Sequence, residues 1–197
     1  MTNGKLSTTY KFLRAIGLKY SEEEYGQVSI FEVIKRFFLI YYHTLLQSMM
    51  DWVIFAPIAH RKVRPWLLRR MGAKVGKGVF IGDHVVFDLN HSDLIYVDDD
   101  AHITGGCRLL CHQRDLSGYH KGDNASKLPY RLGEIHIGKG VMLGMNSMVM
   151  PGAKIGDGAI VGACSLVSKE IPPYTVAVGQ PAKVVKYFGD EPSSANS

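Results

Sequence analysis

The feature that most constrains this chain is a period of six over residues 137–171, IGKGVMLGMNSMVMPGAKIGDGAIVGACSLVSKEI. Ile137, Leu143, Val149, Ile155, Val161 and Val167 open consecutive hexads, and Gly138, Gly144, Gly156 and Gly162 follow four of them. The fifth positions are mostly small: Val141, Ser147, Ala153, Ala159, Ser165 and then Ile171. Residues four apart on a strand point the same way, so each hexad aims one large and one smaller side chain at a common interior. The glycines supply either a turn or a close backbone approach. Strands this short bury an apolar face only by stacking on their neighbours, which makes the expected fold mainly β, a parallel β-helix. A single apolar strand with incidental glycines would not hold phase this long.

The phase also appears upstream. Val75, Ile81 and Phe87 open hexads, with Val79 and Val85 at fifth positions; Val97, Ile103 and Leu109 open more, with Ala101 and Cys107 inside. The register slips by four residues around Asn90, His91 and Ser92, and is lost between Leu109 and Ile137 in a polar excursion. A regular array broken by one long loop is a scaffold carrying something inserted for a purpose.

Three stretches carry a family likeness: the hexads, Ile171-Pro172-Pro173-Tyr174 followed by Gly179-Gln180-Pro181-Ala182-Lys183, and Leu110-Cys111-His112 ahead of the excursion. Over roughly residues 64–188 the chain resembles the hexapeptide-repeat acyltransferases. It is most similar to the branch of galactoside and maltose acetyltransferases and polysaccharide sugar O-acetyltransferases. The resemblance implies a left-handed, three-sided β-helix and a homotrimer binding acetyl-CoA between subunits, with no metal required. It implies His112 as general base and the backbone N–H of Met145 as oxyanion donor. For CoA it points to Met142, Gly144, Ala163, Ser168, Lys169, Lys183 and Lys186. Many relatives carry tryptophan where this chain has Met142, whose thioether still offers an apolar wall.

The chemistry wants such a histidine. A sugar hydroxyl attacks a thioester only as its proton leaves, and an imidazole takes that proton and passes it to the departing sulfur. No acyl-enzyme is needed. Cys111 beside His112 is a poor thiol–base pair, because strand neighbours face opposite ways. Asp88 is read as facing the acceptor; Asp115, three residues after His112, either orients the imidazole or solvates the loop. The excursion, Gln113–Glu134, mixes Tyr119 and Tyr130 with Arg114, Lys121, Asp123 and Arg131, a composition suited to a sugar-hydroxyl or phosphate acceptor and equally to a solvated loop; the family resemblance adds a carbohydrate, including a lipid-linked one, as the expected acceptor.

The charge is mildly basic, 23 Lys+Arg against 18 Asp+Glu, with Arg61, Lys62, Arg64, Arg69, Arg70, Lys74 and Lys77 crowding one junction. No stacking or groove-reading motif accompanies the cluster, so nucleic acid is not expected; CoA phosphates or anionic lipids suit it better. Cys107, Cys111 and Cys164 lack metal-ligand spacing and read as reduced packing residues of a cytoplasmic protein. Met1–Thr9 lacks the apolar core of a secretory signal. After His136 there is no histidine, which argues against the zinc chemistry of γ-type carbonic anhydrases on a similar coil. N-acetylation of an amino sugar, xenobiotic acetylation, and a non-catalytic trimeric scaffold stay open as alternatives.

The expected division is a helical segment over 1–71, the coil over 72–188 with its insertion at 113–134, and a tail from 189. A short helix is expected at Thr9–Leu18, a capping box at Ser21-x-x-Glu24, and a long helix from Ile30 to about Phe55, capped by Ser29 and ended by Pro57. In that long helix Glu32, Lys35, Arg36, His43, Gln47 and Asp51 form a narrow polar stripe opposite a broad apolar face. Packing on the coil or between subunits, lying in the inner-membrane interface, and spanning the bilayer all remain readings of it. A helix is also expected over Arg64–Met71, with Pro65 in its first turn and Gly72 at its end.

Overall fold

The computed structural model describes residues 6–17, 26–56 and 58–189; the Ser21-x-x-Glu24 box, Pro57 and the tail beyond Gly189 lie outside them. The coil is a triangular prism of three parallel faces. The first stacks Lys74–Val75, Ile95–Val97, Ile135–Ile137 and Lys154–Ile155. The second stacks Phe80–Ile81, His102–Ile103, Met142–Leu143, Ile160–Val161 and Thr175–Val178. The third stacks Val86–Phe87, Arg108–Leu109, Met148–Val149 and Leu166–Val167. Apart from the half-buried Val75, the hexad openers and their fifth-position partners are buried together in one core. Full burial of one such aliphatic side chain contributes about 1.5–3 kcal/mol.

Register shows how interruptions are absorbed. Met142 lies over Ile160, 18 residues on, which is one uninterrupted coil. Phe80 lies over His102, a step of 22, so the slip adds four residues without disturbing the stacking. His102 lies over Met142, a step of 40, so the excursion adds a further 22. Its ends pair as an antiparallel hairpin, His112–Arg114 with Tyr130–Leu132, so the chain leaves and rejoins the coil at one corner.

The glycines after the hexad openers serve close approach. A Cβ on Gly144 would sit 2.4 Å from the Ala163 amide nitrogen of the next coil. The turns fall two residues later, at His84, Gly106, Asn146 and Cys164, all with φ between 55° and 74°. Each coil therefore rounds the same corner through the left-handed region, at some cost where the residue is not glycine. This corrects the reading of Cys164, which is exposed at that corner and is not a packing residue; Cys107 and Cys111 are buried.

The closing Gly179-Gln180-Pro181-Ala182-Lys183 motif reverses the chain, so that Lys183–Tyr187 returns antiparallel along Thr175–Val178.

Among the described residues three α-helices precede the coil: α1, Thr8–Ala15; α2, Ile30–Met49; and α3, Arg64–Arg70. Ser29 caps α2, accepting from Phe31 N–H, as its sequence position predicts. The helix ends at Met49, short of the expected Phe55, because Arg64 takes the Met50 carbonyl at 2.8 Å and Asp51 at 3.3 Å. The C-terminal half of the polar stripe is turned inward, while Lys35 and Arg36 stay exposed. His43 Nδ1 donates to the Leu89 carbonyl at 2.6 Å, and Gln47 spans the Val85 carbonyl and the Phe87 N–H. The stripe thus satisfies backbone groups of the first coil, which has no coil before it to pair with.

Arg64 is the clasp. It is buried and also reaches the Ile81 carbonyl (3.1 Å) and the Asp83 carboxylate (2.6 Å). Arg64→Met should therefore destabilise the fold by about 1.5–3 kcal/mol, as expected for a lost hydrogen bond to a charged group, measured by urea denaturation. The Arg64 guanidinium holds the Asp83 carboxyl below its ordinary 3.8. A depressed folded-state value makes this contribution complete above about pH 4 and lost as pH falls further.

Candidate active site

His112 stands where the third face ends and the hairpin begins. Its backbone is fixed by pairing with Leu132, and its ring by a carboxylate: Nδ1 lies 2.5 Å from Asp88 Oδ2. Asp88 is almost wholly buried and accepts three further bonds, from the N–H groups of Asn90, His91 and Cys111. The register slip is thus the loop that wraps this carboxylate. An ionised carboxylate only accepts, so the proton sits on Nδ1 and the His112 Nε2 lone pair is left for a substrate. The rings of Tyr130 (5.3 Å) and His91 (5.9 Å) stand edge-on to the imidazole.

The carboxylate that orients His112 is Asp88, which the sequence places on the acceptor side. Asp115 instead caps its own loop. Its carboxylate accepts from Ser117 N–H at 3.0 Å, and that bond holds its pKa below the ordinary value. His136 is stacked on Tyr96 and bonded to Glu134, and His120 is exposed beside Asp123. His91 was not singled out by sequence; its place directly after the Asp88 step was the available signal.

Burial pushes the Cys111 thiol up to about 12, with the Asp88 charge adding to it. Burial raises the Cys107 thiol as well, and both thiols are enclosed in the core, an environment that disfavours the reactive thiolate. Labelling of native protein with a maleimide, located by mass spectrometry, should leave both unmodified while unfolded protein labels at both.

Met145 lies at another corner, between the second and third faces. Beside it opens a concavity of about 460 Å³ lined by His60, Phe80, Asp83, His102 and Asn146 among others. His60, Phe80 and His102 form one stack, with centroids 5.0 and 4.1 Å apart. Desolvation, assisted by Arg61, holds His102 below its ordinary 6.5. Sequence reading missed this stack because His60 and the coil residues are far apart in the chain.

The residues expected to hold CoA divide in two. Met142 stands exposed on the second face, in one outward row with Ile160, Val176 and Lys186; Gly144 and Ala163 stack at the adjoining corner, and Lys183 lies on the final strand. Together they offer an apolar wall, bare backbone and cations, which fits a pantetheine arm ending in phosphates. Ser168 and Lys169 are exposed at the far end of the third face, near the corner that carries His112. One face, six residues at about 3.3 Å each, or about 20 Å, separates those two corners. Within one chain, His112 and Met145 are not brought together.

A family model described as "Bacterial transferase hexapeptide (six repeats)" matches residues 134–169. Those residues carry the hexapeptide repeat that this model describes. An acetyl-CoA complex of a hexapeptide-repeat acetyltransferase from Vibrio cholerae superposes with a TM-score of 0.58 over 94% of this chain and 100% of that one, at 20% identity. The hexapeptide coil is accordingly a left-handed parallel β-helix. A Staphylococcus aureus (strain Mu50) protein, named provisionally as an acetyltransferase, is 36% identical over 118 residues, 60% of this chain and 56% of its own length. The chain thus spans little more than half of that relative. A chloramphenicol acetyltransferase from Morganella morganii is 50% identical over 62 residues, 31% of this chain and 30% of that protein.

Proposed function

We propose that this chain is an acetyl-CoA-dependent O-acetyltransferase acting on a sugar hydroxyl, in assembly of a bacterial envelope polysaccharide. The observation that carries the reading is the Asp88–His112 pair, in which Nδ1 meets the carboxylate and Nε2 is turned away from it, at the mouth of a 22-residue loop. In the proposed step His112 Nε2 takes the hydroxyl proton as that oxygen attacks the thioester carbon. The Met145 N–H stabilises the oxyanion. Collapse breaks the C–S bond, and imidazolium returns the proton to the leaving sulfur. Tyr119, Tyr130, Arg114 and Arg131 of the loop would meet the sugar.

Because His112 and Met145 stand at different corners, the proposed site is completed between copies in a homotrimer. The outward rows support this choice of contacts. Those of the second and third faces are largely apolar (Met142, Ile160, Val176; Met148, Leu166), whereas the first face presents Lys74, Tyr96, His136 and Lys154. Sedimentation should return a trimer; an active monomer would refute the shared site.

The short, strong likeness to a chloramphenicol acetyltransferase favours one second reading, a xenobiotic acceptor. Thiol release from acetyl-CoA, followed against simple sugars, amino sugars, polysaccharide repeats and chloramphenicol, separates them. Turnover confined to hydroxylated sugars supports the proposal; turnover confined to chloramphenicol or an amine overturns it.

A further inference from the structure

The inward turn of His43 and Gln47 leaves the other side of α2 without a partner among the described residues. Ile34, Phe37, Phe38, Tyr41 and Leu45 recur at helical spacing on that side, and all are exposed, with Phe31 at 80%. The apolar run continues past the helix through Trp52, Val53 and Ile54, Val53 reaching 86%. Half of the large exposed apolar side chains among the described residues fall between residues 30 and 58. A surface this apolar marks an interaction site.

Charge selects the occupant. Residues 29–71 hold seven Lys/Arg and two Asp/Glu, an excess of five, which equals the formal net charge of +5 of the whole chain. The remainder of the chain is balanced. Arg64 is turned into the clasp with Asp51 and Asp83, but Lys35, Arg36, Arg61, Lys62, Arg69 and Arg70 lie at or near the surface. Arg36 pairs with Glu32 one turn away; among the described residues Arg61 and Arg69 meet neutral groups, the carbonyls of Gly78 and Val75 and the Phe80 ring, which do not cancel their charge. Two copies meeting through this face would bring like charges together. An anionic surface would meet both the apolar and the basic component at once. No helix among the described residues is long and apolar enough to cross a membrane.

We infer that the exposed face of α2, with the Trp52–Ile54 turn and the exposed basic residues of the same segment, docks in the interface of an anionic lipid bilayer. Aromatic and aliphatic side chains enter the headgroup boundary while lysine and arginine meet phosphates. This geometry is independent of the transfer chemistry proposed above, and its test does not use activity on an acceptor.

The experiment is co-sedimentation of the full-length protein with vesicles of phosphatidylcholine alone, or with one third phosphatidylglycerol. Binding to the anionic vesicles should exceed binding to the neutral ones at least tenfold in low salt. It should fall several-fold in 0.5 M NaCl, where the screening length shrinks to a few ångströms. The variant F31D/F38D/Y41D alters only exposed side chains. It should lose vesicle binding tenfold or more and keep the unfolding midpoint and acetyl-CoA affinity of the parent. Equal binding to neutral vesicles, or equal binding by variant and parent, overturns the inference. So does a drop in sedimenting mass of the variant with no vesicle binding by the parent, which would assign the face to contact between copies.

Discussion

Replacing His112 with asparagine is expected to lower acetyl transfer by about 100- to 10,000-fold, the range for a removed acid–base group. Donor affinity and stability should stay near those of the parent. His112 is half-buried at a coil edge and is not among the packed core residues, so the coil loses little. The residues proposed to hold CoA lie mostly on the second face and the final strand, away from this corner. Asparagine keeps a hydrogen-bonding end near Asp88 and removes the group that accepts and carries a proton. The measurements are transfer at saturating donor and acceptor, and calorimetric titration of acetyl-CoA. Near-normal turnover with intact folding would put the base elsewhere, with His136 or His120 next in line.

Asp88→Asn should approach the same loss, up to about 10,000-fold, by a different route. Asp88 Oδ1 accepts from the N–H groups of Asn90 and His91, while Oδ2 accepts from Cys111 N–H and His112 Nδ1. An amide can keep its oxygen towards the first pair, which leaves its NH₂ facing the second. The imidazole then carries its proton on Nε2, the atom that must be bare. A ¹⁵N spectrum separates this from simple structural damage: Nδ1 should be protonated in the parent and Nε2 in the variant. Facing the Cys111 N–H with another donor also costs stability, about 1–3 kcal/mol for a buried unsatisfied group. If turnover falls while the parent tautomer persists, positioning through Asp88 is refuted.

The coil was legible because a six-residue period dictates which side chains share an interior, and the buried openers and fifth positions follow that pattern. His112 was legible for a related reason, since an in-phase strand delivers it to a corner. Asp88 was harder. Its partner lies 24 residues away, and only the three-dimensional return of the coil after one slipped turn puts them in contact. The α2 stripe was legible as a stripe, while its direction was not. Amphipathic patterning assumes that water takes the polar side, and here the first coil's bare backbone takes its C-terminal half, His43 and Gln47. The basic run 61–70 read as a patch, yet Arg64 is buried in it as a clasp, which charge counting cannot distinguish from a surface arginine.

The hairpin after His112 begins and ends at a single corner, with Gly133 N–H returned to the Cys111 carbonyl at 2.9 Å. The rungs above and below it stack as though it were absent. Lengthening such a closed excursion costs little, because loop-closure entropy grows only with the logarithm of length. The loop is therefore a cassette: its tip can be rewritten, shortened or replaced to change what is presented to His112, while the rigid prism that aims the imidazole is left untouched. In the proposed reaction, acceptor choice and catalytic geometry would be encoded in separable stretches of the chain.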